Sequence, residues 1–427
     1  MLRNCVRNGL HKLRNYPKSP SVNRKPHILL LRQDLHKLTY YIRTIPNLSE
    51  VLKPLDDVIN NQFLPAITER QTISADNRKL IALPVRLGGL GIQIYSEACT
   101  TEYSNSRNLT RKLTSKIVAQ DNNFMDETIK ENHTNSSLKA EKTKADKIIL
   151  NELRTRMNKE QLRANDIAQL KGASAWLTAL PIKDEGFVLN KREFFDAVAL
   201  RYRWSLSRLP QFCACGKHFD MDHAMSCMKG GYVHKRHDRI RDLFAKVMDD
   251  IAQGVRTEPP LTPLTGEVLP ISANTNDGAR VDIAARDFWV KDEMAFFDIK
   301  VFNPIAKSNL NKDLDAAFRM HESMKKNAYN ERIIRVEHGS FTPVILSSYG
   351  GFGRESSRFV GKLVEKVSEK KNLETSVVAN TIRKKVSFEL VRAQVACIRG
   401  SRSLKPVKIS MDDAEILESS SSIRGDG

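Results

Sequence analysis

Two short stretches with period-two alternation set the tightest limit on how this chain folds. They are Ala279-Arg280-Val281-Asp282-Ile283-Ala284-Ala285 and Met294-Ala295-Phe296-Phe297-Asp298-Ile299-Lys300-Val301. β-Branched and aromatic residues dominate both, and a charged turn from Arg286 to Glu293 separates them, so the pattern predicts two strands. Side chains on a strand alternate, which puts Asp298 and Lys300 on one face and turns Phe297, Ile299 and Val301 into a core. A hairpin pairing brings Asp282 to the Asp298 face. Two carboxylates can hold Mg²⁺ or Mn²⁺, and such an ion activates water and steadies a pentavalent phosphate. Lys300 can orient the water or offset charge growing on the phosphate. The plainer alternative is that Arg280 and Lys300 simply pair with the two aspartates across the hairpin.

The rest of the chain must accommodate a strong basic excess. Of its 427 residues, 69 are basic and 50 acidic, giving a formal net charge of +19. That balance attracts polyanions, with nucleic acid the first candidate. Hydrophobic content is 41%, and the length allows two or three domains with their own cores. No run of 18 or more apolar residues occurs, so no membrane-spanning helix is expected. Asp34 is the first acid, preceded by eight basic residues. An acid-free basic start suits a mitochondrial presequence, but Pro17, Pro20 and Pro26 fit that poorly. A leader that contacts nucleic acid, or the start of a truncated frame, is the preferred reading.

Periodicity and composition divide the chain into a basic leader (1–26), a helical region (27–102) and a polar charged connector ending in helices (103–170). A linker (171–233), a C-terminal domain (234–400) and a serine-rich disordered tail (401–427) follow. Leu83-Pro84-Val85-Arg86-Leu87-Gly88-Gly89-Leu90-Gly91-Ile92 predicts a tight turn with close backbone approach. The C-terminal domain reads as helix 237–251, strands to about 302, helix 311–328, strand Phe341 to Ser347 and helices 355–369 and 376–398.

Six cysteines occur, three of them within fifteen residues: Cys213-Ala-Cys215, then Cys227. With His223 they make a tetrahedral Zn²⁺ donor set that leaves no open position, so the site is structural. His218 could replace His223, but the spacing to Cys227 favours His223. Clustered rather than scattered cysteines fit metal binding better than a disulfide framework.

Lys235, Arg236 and His237 open the following helix and could clamp a phosphate, with Asp238 satisfying free amides at the helix start. Glu258 ends a short strand and could be a third acid near the metal. Lys325, Lys326 and Tyr329 share about one helical turn and could touch a phosphate. Val247-Met248-Asp249-Asp250 looks like a polymerase metal-binding tetrapeptide, but it lies inside an amphipathic helix and is rejected.

Taken together, these motifs carry a resemblance. Leu83 to Ile92 resembles the segment after the polymerase core of non-LTR retrotransposon reverse transcriptases, in the thumb region. Trp176-Leu177-Thr178-Ala179-Leu180-Pro181 through His237-Asp238 is similar to the linker and zinc knuckle of those polyproteins. Asp282 with Asp298 and Lys300 resembles their restriction-like endonuclease core, of the PD-(D/E)XK superfamily. The resemblance covers roughly residues 30–95 and 172–400.

It implies a multidomain chain: an α-helical N-terminal region, a small zinc-stapled linker and a C-terminal α/β restriction-endonuclease-like domain with a mixed sheet. Asp282 and Asp298 would be metal ligands, Lys300 the catalytic lysine and Glu258 an accessory acid by position only. Cys213, Cys215, His223 and Cys227 would bind zinc, and Lys326 and Tyr329 match a Lys/Tyr pair on the following helix loosely. The implied activity is nicking of DNA for target-primed integration, in the nucleus after cytoplasmic transit, with element RNA as a second partner. The alternative is a catalytically inert nucleic-acid-binding protein. Val281 stands where the superfamily has proline, and the polymerase fingers, palm and Tyr-x-Asp-Asp hairpin have no counterpart here, so RNA-templated synthesis is not expected.

Overall fold

The computed structural model describes residues 38–70, 72–120 and 128–402. The basic leader, the leucines at 30, 31 and 35, and the tail beyond 402 lie outside the described residues. The described residues fall into two compact units: one up to Gln169 together with Leu177–Pro181, the other comprising Leu170–Trp176 and everything from Ile182 onward.

The first unit is helical. Helices α1 (38–44), α2 (Ser49–Val58) and α3 (Leu64–Thr68) are followed by α4 (Ala75–Ala82), α5 (Tyr95–Val118), α6 (Thr128–Arg154) and α7 (Lys159–Gln169), with a π-helical turn between α2 and α3. Leu52, Leu55, Ile59, Phe63 and Leu64 form its buried stripe. Asp56 anchors the start of α5, its two carboxylate oxygens accepting from the Tyr95 and Ser96 amides at 2.9 and 2.8 Å. In the glycine turn Gly88 adopts φ +93°, and a Cβ on Gly89 would collide with the Leu83 carbonyl. The stretch expected as a connector ending in helices is helical through most of its length. No glycine or proline interrupts residues 95–154, and buried Glu102 joins Arg43 and Lys142.

The second unit carries helices α8 (Lys191–Tyr202), α9 (Met221–Ser226), α10 (Tyr232–Asp249), α11 (Lys307–Leu310), α12 (Leu314–Arg332), α13 (Arg354–Lys371) and α14 (Thr375–Arg399). Among them runs a mixed sheet in the order β1 (Gln253–Thr257), β2 (Ile283–Arg286), β3 (Met294–Phe302), β4 (Ser340–Ser347). β1/β2 and β2/β3 are antiparallel, whereas β3/β4 is parallel, as the helical crossover through α11 and α12 requires.

Alternation on β3 governs both faces of this sheet. Ile283, Ala285, Phe297, Ile299, Val344 and Leu346 form one core with Ile240 and Phe244 of α10 and Phe359 and Leu363 of α13. The Phe288, Phe297 and Phe359 rings meet at 5.0–5.3 Å, and burying each such side chain contributes about 2–3 kcal/mol. On the other face Ala284, Phe296 and Phe341 pack with Ile333, and Phe302 meets Phe318 of α12. β3 is therefore covered on both sides, and a charged residue on it is taken out of water.

Candidate functional site

The β2/β3 pairing determines where the acids meet. Ile283 faces Phe297, and carrying that register one step sets Asp282 across from Asp298. Asp282 Oδ2 accepts the Ile299 amide at 2.5 Å and lies 3.1 Å from His237 Nε2. His237 comes from α10, and the same Nε2 is 3.1 Å from the Ile299 carbonyl oxygen. Asp298 is 4% exposed, and its Oδ2 lies 2.6 Å from Lys325 Nζ of α12. That ammonium is the partner of the buried oxygen, as an ion pair and as a donor. Lys300, two residues along β3, is half-buried on the Asp298 side.

Burial and mutual charge shape these groups. Burial pushes the Asp298 carboxyl up to about 6; Asp282 adds to the rise, while Lys325 and His237 oppose it. Burial also lowers Lys300, and Lys325 lowers it further against the pull of Asp298. For Lys325 burial acts downward, but Asp298, Tyr329 and Asp282 together outweigh it and the net shift is upward. For His237 burial likewise acts downward, yet Asp282 and then Asp238 push the imidazolium up to about 9. Two carboxylates thus face three cationic side chains in a space walled by apolar sheet.

The remaining candidates fall at varied distances from this centre. Glu258 follows β1 with φ +52°, and its amide donates to the Asp282 carbonyl at 2.9 Å. Its exposed carboxylate pairs with Arg241, which Asp238 and Asp242 also hold. Glu258 is therefore brought beside Asp282 through backbone alone. Lys326 pairs with Glu355 at 2.7 Å, and Tyr329 packs on Phe341 with its hydroxyl 3.4 Å from Asn274 Nδ2. Lys235 is exposed, its ammonium 5.3 Å from the Tyr232 ring centroid.

Two expectations need correction. Arg236 is 2% exposed and donates to the carbonyls of Met225 (3.2 Å) and Val301 (3.4 Å), so its guanidinium serves the interior rather than a phosphate. Asp238 does not open α10: the helix begins at Tyr232 after Gly231 at φ +70°. A left-handed glycine supplies the turn, which leaves Asp238 to bond His237 and Arg241 instead.

A second cluster stands on α9 and the hairpin before it. Phe212 bridges His218, Gly216 turns at φ +83°, and the Cys213 amide donates to the Lys217 carbonyl at 2.9 Å. Asp220 caps α9 by accepting the His223 amide at 2.7 Å, and the Cys227 amide returns to the His223 carbonyl at 2.8 Å. Cys213, Cys215, His223 and Cys227 thereby bring their ligand atoms within 4.8 Å of one another, an arrangement that could hold a metal ion such as zinc. Cys213 and Cys227 Sγ are 3.7 Å apart, and Cys215 Sγ is 3.3 Å from His223 Nε2. His218 stays exposed, edge-on to Phe212, outside the set.

No protein-family model matches this chain, and a search of curated proteins returns no significant match. Among the described residues no helix is long and apolar enough to cross a membrane. Two residues at the acid centre had weaker sequence signals. The buried stripe Leu314, Phe318, His321 and Arg332 of α12 passes through Lys325 and leaves Lys326 about 100° round the helix. The same stripe places His321 against Phe302, where burial, then Lys300 and Lys312, push it down to about 4.

Proposed function

We propose that the second unit is a metal-dependent DNA endonuclease of restriction-like type, derived from a non-LTR retrotransposon, that nicks a phosphodiester for target-primed integration. The observation that carries this reading is the convergence of Asp282, Asp298 and Lys300 at one end of the β2/β3 pair. The element order supports it: a helix, three antiparallel strands, a helical crossover and a parallel fourth strand beside the acid-bearing one. The net charge of +19 supports a polyanionic substrate.

The donor set fits a hard divalent cation. Asp298 presents a buried carboxylate whose Oδ2 is paired with Lys325, and Asp282 reserves Oδ2 for its own hydrogen bonds, leaving Oδ1 outside them. Asp282 and Asp298 would hold Mg²⁺ or Mn²⁺, and the ion would activate water and offset phosphate charge. Lys325 and His237 balance the charge of the two carboxylates. Lys300, with its ammonium lowered by burial, is placed to orient a water or to donate to a phosphate oxygen. The Cys/His cluster would carry structural Zn²⁺.

The test is Mg²⁺-dependent nicking of supercoiled plasmid by the full chain. Wild type should nick, and Asp298→Ala should not, while DNA affinity is kept. One observation favours a second reading: both acids already have cationic partners, Asp282 in His237 and Asp298 in Lys325. Self-neutralised acids suit an inert nucleic-acid-binding protein. Salt-sensitive DNA binding with no cleavage in Mg²⁺ or Mn²⁺ would select it.

A further inference from the structure

We infer that Arg236 is a positioning residue that couples the Cys/His cluster to the acid centre. The inference rests on the endonuclease reading for its consequence, not for the coupling itself. Arg236 lies in the second turn of α10, between the two sites. One arm of the guanidinium donates to the Met225 carbonyl at 3.2 Å and touches the Met225 sulfur at 3.7 Å. Met225 lies on α9 between His223 and Cys227, so its position follows from theirs. The other arm donates to the Val301 carbonyl on β3 at 3.4 Å, one residue past Lys300.

The next residue completes the link. His237 sits on the same helical turn and reaches Asp282 Oδ2 and the Ile299 carbonyl oxygen, both at 3.1 Å. The backbone position of 236–237 is thus fixed at one end by the metal-stapled helix and at the other by both acid-bearing segments.

A side chain this buried is costly unless its bonds are kept. Arg236 is 2% exposed, so its guanidinium depends on its bonds to the two carbonyls and on its contact with Cys397 of α14. If α9 loses its staple, the Met225 carbonyl moves, the guanidinium follows, and β3 and His237 shift with it. Metal in the Cys/His cluster therefore tunes a reaction centre to which it contributes no ligand, in the way outer partners orient metal ligands.

The experiment compares the zinc-loaded full chain with Arg236→Gln and Arg236→Lys. Zinc content is measured, plasmid nicking is followed against Mg²⁺ concentration, and the ring resonance of His237 is read by NMR, assigned as the peak missing in His237→Gln. Arg236→Gln should keep zinc and DNA affinity, move the His237 resonance and lower nicking about 10-fold. Arg236→Lys, which keeps the charge and one donor direction, should fall between. An unmoved His237 resonance and unchanged nicking in a zinc-replete Arg236→Gln would overturn the coupling. The resonance answers whether or not the wild type cuts DNA, so failure of the endonuclease reading is separately visible.

Discussion

The two clusters of the second unit differ in how far apart their parts lie in sequence. The Cys/His set is local: its four residues span positions 213 to 227, on one hairpin and one short helix. The acid centre is assembled from α10, β2, β3 and α12, with His237 and Lys325 at its sequence extremes. The local set packs Phe219, Ala224 and Met225 on Leu200, Cys397 and Ile398, and a metal on its four donors would tie the hairpin to the short helix. A dispersed set needs a finished fold, since nothing links its members until the sheet exists. Loss of a bound metal should therefore act on the first cluster as a local unfolding event, whereas in the second set, on the endonuclease reading, substitution of an acid should act on nicking and substitution of its cationic partner on stability.

The largest expected effect breaks the local set. Cys227→Ser should abolish stoichiometric zinc and unfold the knuckle, because structural zinc in comparable small sites contributes about 10–16 kcal/mol. Metal analysis and near-ultraviolet circular dichroism check this. An unchanged melting profile after complete zinc removal would contradict it. In the dispersed set, Asp298→Asn should lower nicking by about 10²–10³-fold or more while leaving zinc content intact, as read by plasmid assay and metal analysis on the same sample.

A smaller contrast separates neighbours on α12. Lys325→Ala strands the buried Asp298 carboxylate and should cost about 2–4 kcal/mol in denaturant unfolding. Lys326→Ala removes a more exposed pair with Glu355 and should stay within about 1 kcal/mol. Equal effects at the two positions would mean the register of α12 on β3 is wrong.

The smallest effect is a pH dependence. His237 rises from its ordinary value of 6.5 to about 9, so the folded state binds its proton more tightly than the unfolded state does. Its contribution is complete below about 6.5 and is lost as pH rises through 9. Melting temperature should decline across that window, and His237→Gln should flatten the decline. Asp298, raised to about 6, acts in a separate and more acidic window.

Much of this was legible before the fold was known. Phe341 to Ser347 reads as a short apolar strand and forms β4 as Ser340–Ser347, and helices expected at 355–369 and 376–398 run Arg354–Lys371 and Thr375–Arg399. Local sequence suffices for such elements: the two helices are set by their own apolar faces and β4 by a continuous apolar run. Arg236 shows the limit. In sequence it is one of three basic residues opening a helix; only the packing of α10 between α9 and β3 turns it inward. Lys325 and Lys326 differ by a single residue, and only the phase of α12 against β3 decides which one meets Asp298.

By itself the sequence determined which side chains share a strand face and which four residues suit a soft-donor metal, because both follow from spacing along one continuous segment. The tertiary structure alone decided the company the acids keep: His237 on Asp282, Lys325 on Asp298, and an apolar wall that drives one carboxyl toward neutrality. The physical reason is that desolvation and Coulomb interaction depend on distance through space. For residues tens of positions apart, that distance exists only once β2, β3 and β4 have paired and the helices have closed over both faces of the sheet.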